Sequence, residues 1–391
     1  MKHKQKIQDI KILRKINNNI SERTLLCPFQ RVLIAVSGGQ DSICLMRMLY
    51  HLKTQWQWKL GIVHCDHRWN LTSQLQAKHV ARLAASMQID YYQSVAIQCV
   101  KQETIARNWR YQMIQTIAVD HDYTAVVTAH SASDRIETLL YHLIRGTGLQ
   151  GIQSLSWKRQ LSNMRYTPWK SWITTLRVCY KNVKYIKNDG MILYHHHIPK
   201  LQLIRPLLDT TRTEIRILLH SWRLPCWPDP TNQTVRMRRN RIRHRLIPYI
   251  RLHYNPSVDQ ALARWSEIVH AENVYLERLS SSILSKIEVN INMYKSKIPT
   301  SGISMELFAS LPIVFQRRIL RKFLYQYIQR DLSFHYIEHI RLYCIFSKSF
   351  SFSSKQSDMT NNIVSRHTWI SLPGKVKLLI LDKVIICILA K

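Results

Sequence analysis

The sequence predicts an α/β protein: a doubly wound parallel sheet, followed by an α-helical domain and a small C-terminal β element. Two observations predict the sheet. Over residues 31–145, short runs of β-branched and apolar residues alternate with helical apolar spacing, the pattern of repeated βα units. The first run, Val32 to Val36, leads into Ser37-Gly38-Gly39-Gln40-Asp41-Ser42 and then a helical pattern with Ile43, Leu45, Met46 and Leu49 apolar. A third observation sets the rest apart. From 241 to 345 the spacing is helical and glycine scarce, whereas Val376 to Leu389 is broken by Lys377, Asp382 and Lys383 into two short strands.

In order, strands are expected at 32–36, 60–65, 91–96 and 123–129, and helices at 42–53, 72–88, 101–121 and 134–145. Units of this length place ligand chemistry beyond the strand C-termini. Residues 1–30 are basic and periodic without a secretory apolar core, and are expected as a helical extension touching the first domain. Residues 157–203 interrupt the alternation with nine Lys or Arg against one acid, Asp189, interleaved with Trp157, Trp169 and Trp172. They are expected as an inserted basic loop region, with His195-His196-His197 a part of that loop. The pattern resumes at residues 203–222, where Thr210 or Thr211 is placed to cap a helix carrying Glu214 in its first turn. Ser347 to Asn362 is serine-rich and linker-like. The expected domains are therefore 1–30, 31–235 with the insertion, a helical RNA-binding domain at 236–346, and 347–391 as linker and β element.

Bulk properties narrow the function. A chain of 391 residues exceeds one compact core, and 46% hydrophobic content is globular. No run of about 18 apolar residues exists to span a membrane. The excess of 57 Lys and Arg over 24 Asp and Glu, a net charge of +33, implies a polyanionic partner, most naturally nucleic acid. The eight cysteines are scattered with no CxxC pair, which argues for a reducing compartment and against a disulfide scaffold, a zinc site or an iron–sulfur site.

The strand–glycine turn–helix at Ser37 to Ser42 makes a phosphate cradle, because backbone N–H groups and the helix dipole both favour an anion. The Lys-Ser/Thr ending of the common nucleotide loop is missing; Asp41 stands in its place, a carboxylate beside phosphate that a bridging cation would reconcile. Asp66 and His67 close the second strand, where they suit an adenosine or a magnesium-bound water. Arg107 and Arg110 share a helix face suited to phosphate. His130 precedes a strand-to-helix junction from whose first turn Asp134 and Glu137 project together. Five of the nine glycines fall in the first loop and in Arg145-Gly146-Thr147-Gly148-Leu149-Gln150-Gly151, where backbone must approach a ligand or adopt positive φ. Arg236, Arg238, Arg239, Arg241, Arg243 and Arg245 crowd around Asn240, and phosphate-backbone contact would relieve their repulsion.

Together these segments resemble the tRNA(Ile)-lysidine synthetase family of the PP-loop ATP pyrophosphatases. The agreement runs in the family's order through SGGQDS, CDHRW, ARNWRY, TAHSASDRIETLL, RGTGLQG, RPLL and DPTN…RRNRIR…LIP, covering residues 31–155 and 203–250. Ser133 and Arg135 stand where many members carry a second Asp and a Gln, and Asn70 where Arg is usual. The SASDR and CDHRW forms look like the cyanobacterial and plastid branch, which implies a plastid stroma, with a bacterial cytoplasm as the alternative. The resemblance implies that ATP adenylates the wobble cytidine of tRNA(Ile) with a CAU anticodon, and that L-lysine then displaces AMP. It implies catalytic roles for Asp41, Asp134 and His130. ATP would be held by Ser37, Gly38, Gly39, Gln40, Asp41, Ser42, Asp66, Arg107, Arg110 and Gly146. Mg2+ would be held by Asp41, Asp134 and Glu137, and tRNA by Arg205, Arg239, Arg241 and Arg243. A homodimer is compatible with the family. The rival readings are a tRNA thiolase, which would need a sulfur-carrying cysteine pair, an inactive RNA-binding module, which would tolerate loss of Asp41 or Ser42, and a small-molecule ligase, which would not need the arginines.

Overall fold

The computed structural model describes residues 2–68, 72–96, 102–148, 155–161, 174–179, 182–187, 201–227, 238–291, 300–328, 332–352, 368–372, 376–381 and 384–389. They fall into two compact units, Met1–Val269 and His270–Lys391. The boundary expected at 235–236 therefore lies inside the first unit, because the arginine-rich segment packs on the α/β core.

The first unit opens with α1 (Lys2–Glu22) and continues with β1 (Arg31–Ala35), α2 (Gln40–Trp56), β2 (Lys59–Asp66), α3 (Ser73–Ser86), β3 (Asp90–Val95), α4 (Glu103–Asp120), β4 (Ala125–Val127) and α5 (Ala132–Arg145). The alternation expected from the apolar pattern is present in full. Next come β5 (Lys158–Gln160), β6 (Thr174–Cys179), β7 (Asn182–Lys187), β8 (Gln202–Ile204) and α6 (Arg212–Ser221). The unit ends in α7 (Arg238–Arg241), a π-helical turn at Ile242–Leu246, α8 (Ile247–His253) and the start of α9 (Val258–Ile287).

The sheet order is β5-β8-β4-β1-β2-β3-β6-β7. Strands β8, β4, β1, β2 and β3 are parallel, and β5, β6 and β7 add antiparallel edges. The insertion at 157–203, expected as loop, thus supplies edge strands; His195 to His197, Trp169 and Trp172 lie outside the described residues. Both sheet faces are covered. Val32, Ile34 and Ile62 meet Ile16, Ile20, Leu45, Leu49, Val80 and Leu218 from α1, α2, α3 and α6. Leu33, Val63, Val126 and Leu203 meet Tyr111, Ile114 and Ile117 from α4. Strands buried on both sides explain the unbroken apolar runs that marked them in the sequence. The chain turns back at β1, which lies between β2 and β4, so the C-terminal ends of β1 and β4 form the crevice of the topological switch.

The second unit carries a five-stranded antiparallel sheet of order β11-β12-β13-β10-β9, from β9 (Glu288–Ile291), β10 (Thr300–Ser304), β11 (Thr368–Leu372), β12 (Val376–Ile380) and β13 (Val384–Leu389). Three helices, α10 (Met305–Ser310), α11 (Ile313–Ile328) and α12 (Phe334–Phe352), give it Phe308, Leu320, Phe323 and Ile340 to bury against Ile303, Leu378 and Ile385. The C-terminal β element is thus larger than its sequence span, since β9 and β10 join it from the stretch read as helical. Residues 347–352 of the expected linker continue α12, and 353–362 lie outside the described residues.

Gly61 on β2 is a packing requirement. A Cβ there would overlap the hydroxyl and ring of Tyr123, whose Oη pairs with Tyr92 Oη at 3.3 Å. Gly61→Ala is expected to cost roughly 1–3 kcal/mol by overpacking. A urea titration checks this, and adding Tyr123→Phe should recover part of the loss.

Candidate active site

The loop from β1 into α2 is shaped by its glycines and backed from outside. Gly38 has φ of +90°, and a Cβ there would press on Gln76 Cγ at 3.0 Å, so conformation and space both exclude a side chain. Gln76 Nε2 donates to the Ser37 carbonyl at 2.5 Å, and the Trp227 N–H donates to the Gly38 carbonyl at 3.1 Å. Ser37 and Ser42 hydroxyls lie 3.1 Å apart, and Ser42 Oγ donates to the Gly39 carbonyl at 2.9 Å. No side chain caps α2 among the described residues, so its first N–H groups remain available to an anion. Asp41 sits in this first turn. Burial, then the Asp134 charge, push its carboxyl up to about 6 against the pull of Arg212 and Arg243.

Across the crevice, the first turn of α5 presents Asp134 and Glu137, and here the structure departs from the sequence reading. Asp134 accepts from the Ser131 N–H at 3.0 Å, closing a capping box, and its other oxygen meets Arg239 Nη2 at 3.1 Å and Arg243 Nη2 at 3.2 Å. Glu137, 1% exposed, takes Arg239 Nε at 3.1 Å and Arg243 Nε at 2.6 Å. Arg212, the first residue of α6, stands 3.7 Å from Asp134 and 3.9 Å from Glu137. Burial works against the Asp134 anion, but Arg239 and the neutralising groups around it outweigh that and hold its carboxyl below the usual range. Arg239 and Arg243, expected on a solvent-facing tRNA surface, instead fold back onto the α/β domain, because two buried carboxylates need partners. Arg241 and Arg245 of the same segment are exposed; Arg236 lies outside the described residues.

The expected metal set is likewise altered. Asp41, Asp134 and Glu137 are electrostatic neighbours, yet among the described residues no group of three acidic, His or Cys side chains gathers at ligand geometry. Guanidinium groups occupy Asp134 and Glu137. Asp41 keeps its carboxylate free of hydrogen bonds and ion pairs among the described residues. One protein carboxylate combined with substrate phosphates is how Mg2+ is commonly held, so Asp41 at the phosphate cradle fits that ion.

Other expected site residues divide clearly. His130 lies at the end of β4 with Nδ1 3.0 Å from Thr128 Oγ1; burial and the Arg205 charge keep its imidazole neutral. Arg110 is exposed and close enough to bear on His67 and His130, while exposed Arg107 lies 5.8 Å over the Tyr111 ring. Asp66, expected to hold ATP, has both oxygens engaged: one accepts the Arg68 N–H at 2.8 Å in an Asx turn, the other Ser73 Oγ at 3.2 Å. Gly146 is the left-handed C-cap of α5, with φ of +77° and, among the described residues, nothing near a Cβ. It ends the helix roughly 20 Å from Asp134, by the helical rise per residue, so helix termination explains it and phosphate contact does not. Arg205, expected on tRNA, is 2% exposed and donates to the Ser156 carbonyl at 2.7 Å beside Tyr111. Its burial removes it from any RNA-facing surface. Trp69, Asn70, Leu149 to Gly151 and the DPTN segment lie outside the described residues.

This geometry can be set beside known proteins. A family model described as a PP-loop domain matches residues 8–250. The chain is 50% identical over 373 residues to the chloroplastic tRNA(Ile)-lysidine synthase of Staurastrum punctulatum, covering 88% of this chain and 75% of that one. It is 42% identical over 386 residues to the chloroplastic enzyme of Zygnema circumcarinatum, covering 98% and 92%. The chain belongs to the tRNA(Ile)-lysidine synthase family. The synthase of Nostoc sp. is 36% identical, over 83% of this chain and 86% of its own. A solved U34-tRNA thiolase from Methanococcus maripaludis, carrying a [4Fe-4S] cluster, shares the fold with a TM-score of 0.51 at 12% identity, over 68% of this chain and 80% of that one.

Two residues of this family member escaped the sequence reading. Arg212 follows Thr211, which caps α6 in a capping box with Glu214, so the position one residue into the helix was its only signal. Glu267 on α9 takes Arg135 at 2.8 Å and Trp157 Nε1 at 2.7 Å, with Arg23 at 3.5 Å. Arg135, the residue that departs from the common family pattern, is 3% exposed and makes this tie.

Two outcomes follow from these charges. Glu137→Gln leaves Arg239 and Arg243 short of their anion and is expected to cost about 2–4 kcal/mol by denaturant titration, the partial exposure of Arg239 lowering the figure. Asp41 is different, because its folded carboxyl titrates above its unfolded value. The stability from its neutral form is complete below pH 4 and lost as pH rises through about 6. In chelator, Asp41→Asn should therefore raise stability by about 1–2 kcal/mol at pH 8 and leave it unchanged at pH 4.

Proposed function

We infer that this chain catalyses ATP-dependent formation of lysidine on tRNA(Ile), with the wobble cytidine of the CAU anticodon adenylated and L-lysine displacing AMP. The observation that carries this reading is the intact Ser37–Ser42 loop, with Asp41 unpaired among the described residues, in a member of the lysidine synthase family. The relatives named chloroplastic support a plastid as its compartment.

Each part of the site has work in this reaction. The uncapped N-terminus of α2 and the Ser37 and Ser42 hydroxyls receive the β and γ phosphates. Mg2+, held by Asp41 and the phosphates, would offset charge developing on the departing diphosphate. His130, neutral at physiological pH, can accept or donate a hydrogen bond at the reacting base without adding charge. Arg110, exposed beside it, offers a guanidinium to the AMP phosphate. The Arg212, Arg239 and Arg243 cluster holds α5, α6 and α7 in register around the crevice.

The thiolase alternative has less support. No CxxC pair exists, and Cys344 and Cys387 are buried, with thiols pushed up to about 12. Burial and the nearby Asp41 charge raise the thiols of both Cys44 and Cys226, and their place beside Asp41 gives the alternative its sharpest test.

The test is lysine incorporation into a tRNA(Ile) transcript with ATP. Incorporation should require lysine and survive Cys44→Ala and Cys226→Ala largely intact; a folded variant of either that loses all turnover would favour thiolation. Asp41→Ala should cut ATP–diphosphate exchange by two to three decades, about 3–4 kcal/mol of transition-state stabilisation. Near-normal exchange in that variant would remove Asp41 from the reaction.

A further inference from the structure

The arginine-rich segment 238–246 has two faces, and only one is used by the carboxylates. Arg239 and Arg243 point inward to Asp134 and Glu137. Arg238, Arg241 and Arg245 point the other way, into a groove of ≈ 620 Å³ between this segment and the C-terminal half of α5, which adds Arg145 and Tyr141. Tyr249 of α8 closes the groove and is 53% exposed. Its ring lies 4.5 Å from His253 and 6.0 Å from Tyr254, which is itself 74% exposed, so an aromatic shelf continues outward.

We propose that this groove is a single-stranded RNA subsite that stacks a base of the tRNA substrate on Tyr249, and clamps its backbone with Arg145, Arg241 and Arg245. The charge argues for a polyanion: among the described residues no carboxylate lines the groove, and none of its four arginines is ion-paired. The aromatics argue for unpaired bases. A duplex offers phosphates but no free base faces, whereas exposed tyrosines between arginines match the stacking platforms of single-strand binders. The volume lies within the range of small-ligand pockets. Position supplies the register. Tyr141 and Arg145 lie seven and eleven residues beyond Asp134 on α5, which at helical rise is about 10–16 Å from the catalytic crevice. At a stacked rise of about 3.4 Å, that distance spans three to five nucleotides, so the base held here lies that far along the strand from the reacting cytidine.

This subsite rests on the lysidine synthase reading, and the test separates the two. Affinity of the full chain for a tRNA(Ile) transcript and for a blunt RNA duplex is measured across salt, alongside ATP affinity and lysine incorporation. Tyr249→Ala should weaken tRNA binding roughly tenfold, as loss of one stacked base does, with duplex and ATP binding unchanged. Tyr249→Phe should retain wild-type affinity. Arg245→Gln should lower the salt slope for tRNA by roughly 0.7–0.9. Unchanged tRNA affinity in Tyr249→Ala overturns the subsite, as does equal weakening of tRNA and duplex. A variant that alters only self-association would assign the groove to a second copy of the chain instead, and also overturns it. If the wild type makes no lysidine yet Tyr249→Ala weakens tRNA binding alone, the subsite stands and the catalytic reading falls.

Discussion

The pairing of Asp134 and Glu137 with Arg212, Arg239 and Arg243 is the constraint on which the first unit depends. A carboxylate as buried as Glu137 is costly to ionise without partners, and guanidinium groups satisfy it bidentately. Those guanidiniums arrive from α6 and from the arginine-rich segment, so the ion cluster fixes three segments at one end of the sheet. Ile136, Ile242 and Ile247, from the same segments, pack together as a buried apolar cluster. The Glu267 tie to Arg135, Trp157 and Arg23 repeats the device on the far side of α5. Without these two clusters the segment after residue 237 would have few reasons to stay with the α/β core.

Much of this was legible in the sequence, and the parts that were not share a physical cause. Each βα unit declares itself through local periodicity, the phosphate loop through its glycines, and the α6 cap through Thr211 and Glu214 three residues apart. Those signals are all short-range. The partners of Arg239 and Arg243 lie more than a hundred residues away, and nothing in an arginine run tells which members turn inward. The helical phase does tell that 239 and 243 share a face and that 238, 241 and 245 share another; net charge alone hides this. Asp66, Gly146 and Arg205 have uses within the fold that the sequence did not show. Each residue type suits a ligand, and each is used by the fold: an Asx turn, a helix C-cap and a buried donor to a backbone carbonyl. Within the second sheet, β9 and β10 escaped because β10 pairs with β13 across some eighty residues, so four- and five-residue strands leave no local mark.

The two arginine faces also divide the labour of a strongly basic chain. Inward-facing arginines are neutralised and contribute to stability, leaving little field for a polyanion. Outward-facing ones make no ion pair among the described residues, and solvent screens their mutual repulsion. The net charge of +33 therefore overstates what the active site itself presents.

Among the charges gathered around Asp41 the sum is close to zero. Asp41, Asp134 and Glu137 oppose Arg212, Arg239 and Arg243, and His130 is held neutral. A triphosphate entering such a site meets no net attraction from these side chains, and it meets Asp41 directly. The α2 N-terminus supplies only about half a unit of positive charge. Two routes remain to admit the anion: Asp41 takes a proton, which its raised pKa makes accessible near pH 6, or it shares a cation with the phosphates. The first route would leave the transition-state charge on diphosphate without support. On the proposed reaction a shared cation would supply that support where it develops, which would give a carboxylate inside the phosphate loop of so arginine-rich a chain a use.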